Sequence, residues 1–177
     1  ASDVYKRQRY GTSIGQRVRQ WTSLPVGVVT LSEKHGGIDV SDAIYERMVE
    51  EVAGMLRPFS EGIERHRLGR NFHLLGTSGT VTTIAAMHLK LPRYDRRQVD
   101  GLWMRTAEAK QVIADLMATP YPQRADNPCI GSDRADLVIA GCAIYDAIAR
   151  AFPAEHIRIA DRGPVSYTHL RAHETEA

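Results

Sequence analysis

Apolar and polar positions recur along the chain at two spacings, and together they predict alternating strands and helices. Residues 17–33, RVRQWTSLPVGVVTLSE, alternate and then turn apolar, with Val26, Val28, Val29 and Leu31 around Pro25 and Gly27. This pattern predicts two strands or one bent strand. HGGIDV follows as a loop, after which Ser41 is placed to cap a helix with Asp42 in its first turn. Ile44, Met48, Val52, Met55 and Phe59 then fall at helical spacing, giving one buried face while Glu46, Glu50 and Glu51 stay in water. The helix is expected to reach about Arg57 and to bend at Pro58.

NFHLLG, residues 71–76, is short, apolar and closed by Gly76, as a buried strand should be. TVTTIAAMHLKL after it has little polar surface and predicts a helix packed on most sides, stopped before Pro92. Another helix is expected over 106–118, capped by Thr106 and ended by Thr119-Pro120. A loop with three prolines, TPYPQRADNPCIGSD, leads into RADLVIAGCAIYDAIARAF, apolar nearly all round and therefore a central helix. HIRIAD closes the pattern as a strand. Alternation of strands and helices argues an α/β domain.

The chain has 177 residues, 43% of them hydrophobic, which suits one globular domain with a real core. A formal charge of +2 is too near neutrality to imply nucleic acid as a partner. Arginine supplies 19 of the 23 basic residues, a bias that suits phosphate and carboxylate contacts but also arises from genome composition. Cys129 and Cys142 make neither a disulfide framework nor a metal quartet, and Cys142 reads as a small core residue. No apolar run has the length of a membrane span and no signal peptide is visible, so the cytoplasm is the expected compartment.

Both ends stand apart. ASDVYKRQ and VSYTHLRAHETEA lack periodicity and resemble translated sequencing adapter, so residues 1–8 and 165–177 are set outside the expected fold. His169 and His173, four apart with Glu174 alongside, have a helical metal-ligand spacing but neither a helical context nor further ligands.

Gly76-Thr77-Ser78-Gly79-Thr80 asks for more explanation than a surface turn. A glycine-rich turn from strand to helix leaves backbone N–H groups pointing outward at the positive end of a helix dipole, where an anion is a natural occupant. Glycine permits close approach, and Thr77, Ser78 and Thr80 can donate to phosphate oxygens. Hydroxyls that only cap the helix are the competing reading, since GTSGT matches neither the P-loop nor the dinucleotide pattern.

Residues 74–104, LLGTSGTVTTIAAMHLKLPRYDRRQVDGLWM, resemble the exopolyphosphatase / guanosine pentaphosphate phosphohydrolase (Ppx/GppA) family. SLPVGVVTLSE, 23–33, looks like that family's second hairpin, and DRADLVIAGCAIYDAIARAFPAEHIRIADRG, 133–163, looks like its later helix and final strand. The resemblance implies a ribonuclease-H-like domain of the actin-like ATPase superfamily, a mixed sheet flanked by helices. Residues 9–164 would be a partial second domain, lacking its first strand and the first domain that faces it across a phosphate-binding cleft.

What the resemblance implies chemically is hydrolysis of a phosphoanhydride, releasing terminal phosphate from inorganic polyphosphate or guanosine pentaphosphate, with Mg²⁺ as metal. Such a reaction needs a positioned water, a carboxylate and cations on the phosphoryl oxygens. The family's catalytic glutamates belong to the absent upstream half, so the chain alone is expected to be inactive. Gly76 to Thr80 are then phosphate-binding candidates.

Arg93, Arg96 and Arg97 can reach a polyanion or simply form a solvated charged turn. Arg134 can meet a phosphate or a carboxylate, while Asp136 can serve the dipole of the central helix. Glu33 is expected as an exposed strand-end carboxylate, His73 as a satisfied core histidine, and Trp21 and Trp103 as packing residues. A non-catalytic phosphate- or nucleotide-binding module of the same fold is the alternative, and an actin-like sugar or acetate kinase relative is a third. An unpaired sheet edge would invite homodimer pairing.

Overall fold

The computed structural model describes residues 8–14, 17–64 and 72–161. The two ends set aside above therefore lie outside the described residues, His169, His173 and Glu174 included, except that Gln8 opens the first strand. Strand β1 (Gln8–Ile14) pairs antiparallel with β2 (Arg17–Leu24), with a register shift between Thr12 and Ser13.

The apolar run after Pro25 is a helix, α1 (Val28–His35), and not the expected strand. Only Ser23 and Leu24 of the hairpin-like stretch lie in β2. Two glycines set the helix bounds. Gly27 is extended at φ −141, with its amide donating to Thr30 Oγ1 at 3.1 Å and its carbonyl accepting from that hydroxyl. Gly36 closes the last turn at φ 83, a left-handed conformation that glycine adopts at little cost. Leu31 and Ser32 are buried, whereas Val29 is exposed, so helical and not alternating burial decides the run. Glu33 is exposed, but on a helix.

Ser41 caps α2 (Asp42–Glu64) as expected, its Oγ accepting from the Ile44 amide at 3.3 Å. The helix continues past Pro58 and does not end near Arg57. Beyond the proline, Ile63 is buried and Phe59 meets Phe152 edge-on at 6.2 Å, so tertiary contacts hold the last turns. Met48, Val52 and Leu56 are fully buried, each contributing about 1.5–3 kcal/mol. Glu51 is half-buried, not free in water, and pairs with Lys34 and His35.

Strand β3 (Leu74–Gly76) leads into α3 (Gly79–His88), whose residues 80–86 are all buried. Then come α4 (Arg96–Val99), β4 (Trp103–Arg105) and α5 (Thr106–Ala118). The cap of α5 is reassigned. Glu108 accepts from the Arg105 amide at 2.8 Å, while the Thr106 hydroxyl donates to the Ala154 carbonyl. The proline-rich loop contains a short helix, α6 (Tyr121–Asp126), and a 3₁₀ turn (Ser132–Arg134). Central helix α7 (Val138–Ala151) and β5 (His156–Ile159) complete the order.

The sheet runs β3-β5-β4, with β3 parallel and β4 antiparallel to β5. Leu74, Ile157 and Met104 turn toward the helices, while Leu75, Arg158 and Trp103 form an exposed row on the other face. β3 is thus an edge strand among the described residues, not a buried one, with Leu75 57% exposed. His73 is exposed and stacks edge-on against Trp103 at 4.7 Å, so it is no core histidine. Trp103 and Trp21 are 49% and 67% exposed, against the expectation of packing residues. α7 lies at the centre of the helical layer, in contact with α1, α2, α3 and α5.

Candidate functional site: a glycine turn under an arginine

The parallel strands β3 and β5 end side by side, with the Ala160 amide donating to the Gly76 carbonyl at 2.8 Å. This is the edge of an α/β sheet where ligands commonly bind, outside the carboxyl ends of the strands. From Gly76 the chain turns through Thr77 and Ser78 into α3. A Cβ on Gly76 would fall 2.8 Å from Val81 Cγ2, so glycine is needed for the chain to fold back onto its own helix.

Ser78 is the N-cap in extended conformation, its Oγ accepting weakly from the Val81 amide at 3.4 Å. The amides of Ser78, Gly79 and Thr80 have no protein acceptor among the described residues. Thr77, Ser78 and Gly79 are exposed, whereas Thr80 is buried against α7. The Thr82 and Thr83 hydroxyls turn inward and donate to the Gly79 carbonyl at 3.0 and 2.9 Å. Free amides, an open surface and the positive end of a ten-residue helix therefore coincide. Both readings of the hydroxyls survive in part. Ser78 caps, but it does so while the first-turn amides remain open.

Arg134 supplies the cation. Its guanidinium occupies the space above Gly79, where a Cβ would lie 2.5 Å from Nη2 and 3.2 Å from Cζ. Arg134 is exposed and has no ion pair among the described residues, so its charge faces the same opening as the amides. Behind the turn, α7 comes unusually near: a Cβ on Gly141 would fall on the Thr80 hydroxyl. A glycine inside an otherwise apolar helical run was the sequence signal for this approach.

The other candidates sit elsewhere. Asp136 precedes α7, and its carbonyl accepts from Ser32 Oγ at 2.8 Å, clasping α1 to α7. Arg93 is exposed beside Asp95 and makes no hydrogen bond or ion pair to the turn. Arg96 reaches Asp161, just past β5, bonding its carbonyl and approaching its carboxylate at 3.5 Å. Tyr94 donates to the same carboxylate at 2.6 Å, and burial together with Asp161 pushes its phenol up to about 12. Sequence reasoning missed this clamp, because nothing in RYDRR announces a partner sixty-odd positions away.

The Mg²⁺ implied by the resemblance is a metal that takes one or two protein carboxylates together with substrate oxygens. Among the described residues no three of His, Cys, Asp or Glu gather, and the Asp161 carboxylate is already held by Tyr94 and Arg96.

The Ppx/GppA phosphatase family matches residues 10–164. Among solved structures, the Ppx/GppA family member of Aquifex aeolicus superposes with a TM-score of 0.79 at 21% identity, covering 97% of this chain and 55% of its own. An exopolyphosphatase from Cytophaga hutchinsonii gives 0.77 at 17% identity, covering 93% and 54%. An exopolyphosphatase-like protein gives 0.74 at 22%, covering 89% and 52%. No curated protein matches. The chain thus spans about half the length of the solved relatives it resembles, and at these identities the likeness speaks for the fold. That fold is the actin-like α/β class read from the sequence.

Proposed function

Because the chain belongs to the Ppx/GppA phosphatase family, we propose that it contributes the phosphate-binding turn of a phosphoanhydride hydrolase. The substrate is inorganic polyphosphate or guanosine pentaphosphate. In the reaction water attacks the terminal phosphorus, the P–O bond of the anhydride breaks, and orthophosphate leaves. The observation that carries this reading is the convergence of the open amides at Ser78, Gly79 and Thr80 with the unpaired guanidinium of Arg134.

Phosphoryl oxygens accept from these amides and from Arg134, which offsets charge as it builds on the transferred group. Gly76 and Thr77 shape the approach. Arg93 and Asp136 are left as secondary candidates with no contact to the turn. Mg²⁺ bound to the substrate would neutralise further charge; no three ligating side chains gather among the described residues, and no step is derived through it. No described carboxylate hydrogen-bonds to the turn, and the base that positions water is assigned to a facing domain outside residues 9–164. The chain alone accordingly binds phosphate without turning it over. Its partners are the substrate, the facing domain and, along the one-sided edge of β3, a second copy. Nucleic acid and membrane are not among them. No helix among the described residues is long and apolar enough to cross a membrane, and we assign the protein to the cytoplasm.

Calorimetric titration with tripolyphosphate at low salt, beside a phosphate-release assay on polyphosphate and guanosine pentaphosphate, tests this reading. Saturable binding that Arg134→Met weakens, without release, is expected. Absence of binding, or binding indifferent to Arg134, overturns the site. Mg²⁺-dependent release from the chain alone overturns the placing of the base elsewhere.

A further inference from the structure

We propose that the slot on the open face of the sheet, across the start of β5, binds a purine nucleoside monophosphate, with its base stacked beside Trp103 and its phosphate on Arg105. The slot measures about 290 Å³, at the lower end for a small-molecule site. It lies at the amino ends of β3 and β5, at Phe72, His73 and His156, whereas the glycine turn leaves from the carboxyl end of β3. The two sites are therefore separate.

Strand register brings the walls of the slot together. Trp103 pairs with Arg158 and Arg105 with His156, so these four side chains share the open face with Leu75 and with His73 just before β3. The Trp103 indole reaches across β5 to His73, with ring centroids 4.7 Å apart at 60°. The Arg158 guanidinium lies 5.6 Å from the same indole. The indole is thus framed by two partners yet stays half-exposed beside the slot that it lines.

Charge decides between the ligands that an aromatic slot admits. Arg105 and Arg158 are exposed, and neither has an ion pair among the described residues. Glu155 is the one carboxylate on the lining. The excess is positive, which disfavours a cationic ligand and favours a flat ring that carries an anion. Nucleobases stack on indole and imidazole faces, and purines offer the larger surface. Arg105, directly across from His156, presents its fork to a phosphate beside the stacked base, and Glu155 can accept from an exocyclic amino group. A protein partner fits less well. Three strands of about four residues make a face of roughly 10 by 13 Å, far short of the ~800 Å² per partner in a stable interface.

Trp21→Phe leaves Trp103 as the single indole of the chain, so fluorescence titration of that variant reads the slot. Adenosine and guanosine monophosphates are the probes, and adenosine and ribose 5-phosphate are the comparisons. Saturable quenching by at least one nucleotide is expected, with both comparison compounds weaker by about tenfold or more. Arg105→Met weakens the nucleotide by about tenfold and His73→Ala by about threefold, while Arg134→Met at the glycine turn leaves it unchanged. In calorimetry Trp103→Leu weakens it by about tenfold or more. The three altered side chains of the slot are exposed, so their variants keep the fold, and matching thermal midpoints check this. No saturable quenching by either nucleotide overturns the inference, as does equal affinity for adenosine and its monophosphate. Affinity that falls with Arg134→Met and not with Arg105→Met puts the nucleotide at the turn and also overturns it. Failure of tripolyphosphate to bind the unaltered chain overturns only the phosphate reading and leaves this one standing.

Discussion

The guanidinium of Arg134 lies in the space that any side chain at position 79 would have to fill, with Nη2 2.5 Å from the site of a Cβ. Gly79 is not in the left-handed region, so glycine serves an approach there and not a turn angle. Helix N-terminus and cation are thereby brought to one point from distant parts of the chain.

Gly79→Ala separates that approach from stability. Alanine is favoured in a first helical turn, and the obstructed group is the far end of a flexible side chain, so stability should move by no more than about 0.5 kcal/mol. Tripolyphosphate affinity should fall by about tenfold, or about 1.4 kcal/mol, because Arg134 is pushed off the turn. Calorimetric titration beside a thermal midpoint reads both; an unchanged affinity would remove Arg134 from the site.

Gly141→Ala has the opposite balance. The added methyl meets the Thr80 hydroxyl directly and lies 3.1 Å from Thr80 Cβ, between two buried helices that cannot part cheaply. Overpacking of this kind costs about 1–3 kcal/mol. A lower urea midpoint at unchanged slope is the expected result.

Glu51 gives stability a pH dependence. Lys34, and then His35, hold its carboxyl below the ordinary glutamate range through bonds of 2.8 and 2.9 Å, against the opposing effect of burial. A depressed folded value means that the contribution is complete above the unfolded value of about 4.3 and fades as pH falls through the lower folded one. Glu51→Gln should therefore be less stable than the parent at pH 7, and the gap should close on acidification below about pH 4. Urea midpoints across pH 3–7 check this, and a gap that widens in acid would contradict it.

Neither cysteine should react while the chain is folded. Burial pushes the Cys142 thiol up to about 12, and it raises Cys129, whose sulfur points at the Leu91 carbonyl at 3.3 Å. Thiolate is the reactive form, so Ellman's reagent at pH 8 should report none of the two free thiols in native protein and both in denaturant.

The sequence disclosed most where a single period dominates. α5, α7 and β5 follow their patterns closely, and the apolar run of α3 could only be a buried helix. α1 was illegible because three valines favour a strand locally, while the deciding contacts come from α7. His73 and Trp103 misled for a related reason: apolar neighbours suggest burial, but the face they share is open. At the site, the glycines and hydroxyls were readable as a turn with free amides. The placing of Arg134 over Gly79 was not, since it follows from how α7 lies against α3.

The pairing of Glu46 with Arg150 joins positions 104 apart, at the contact between α2 and α7. During synthesis α2 must wait, with Met48, Val52 and Leu56 uncovered, until roughly a hundred further residues have left the ribosome. At ribosomal speeds of about 5–20 residues per second that interval lasts about 5–20 seconds. The nascent chain is thus a natural client for chaperones over this window, and slower translation of the intervening stretch would lengthen its exposure to aggregation.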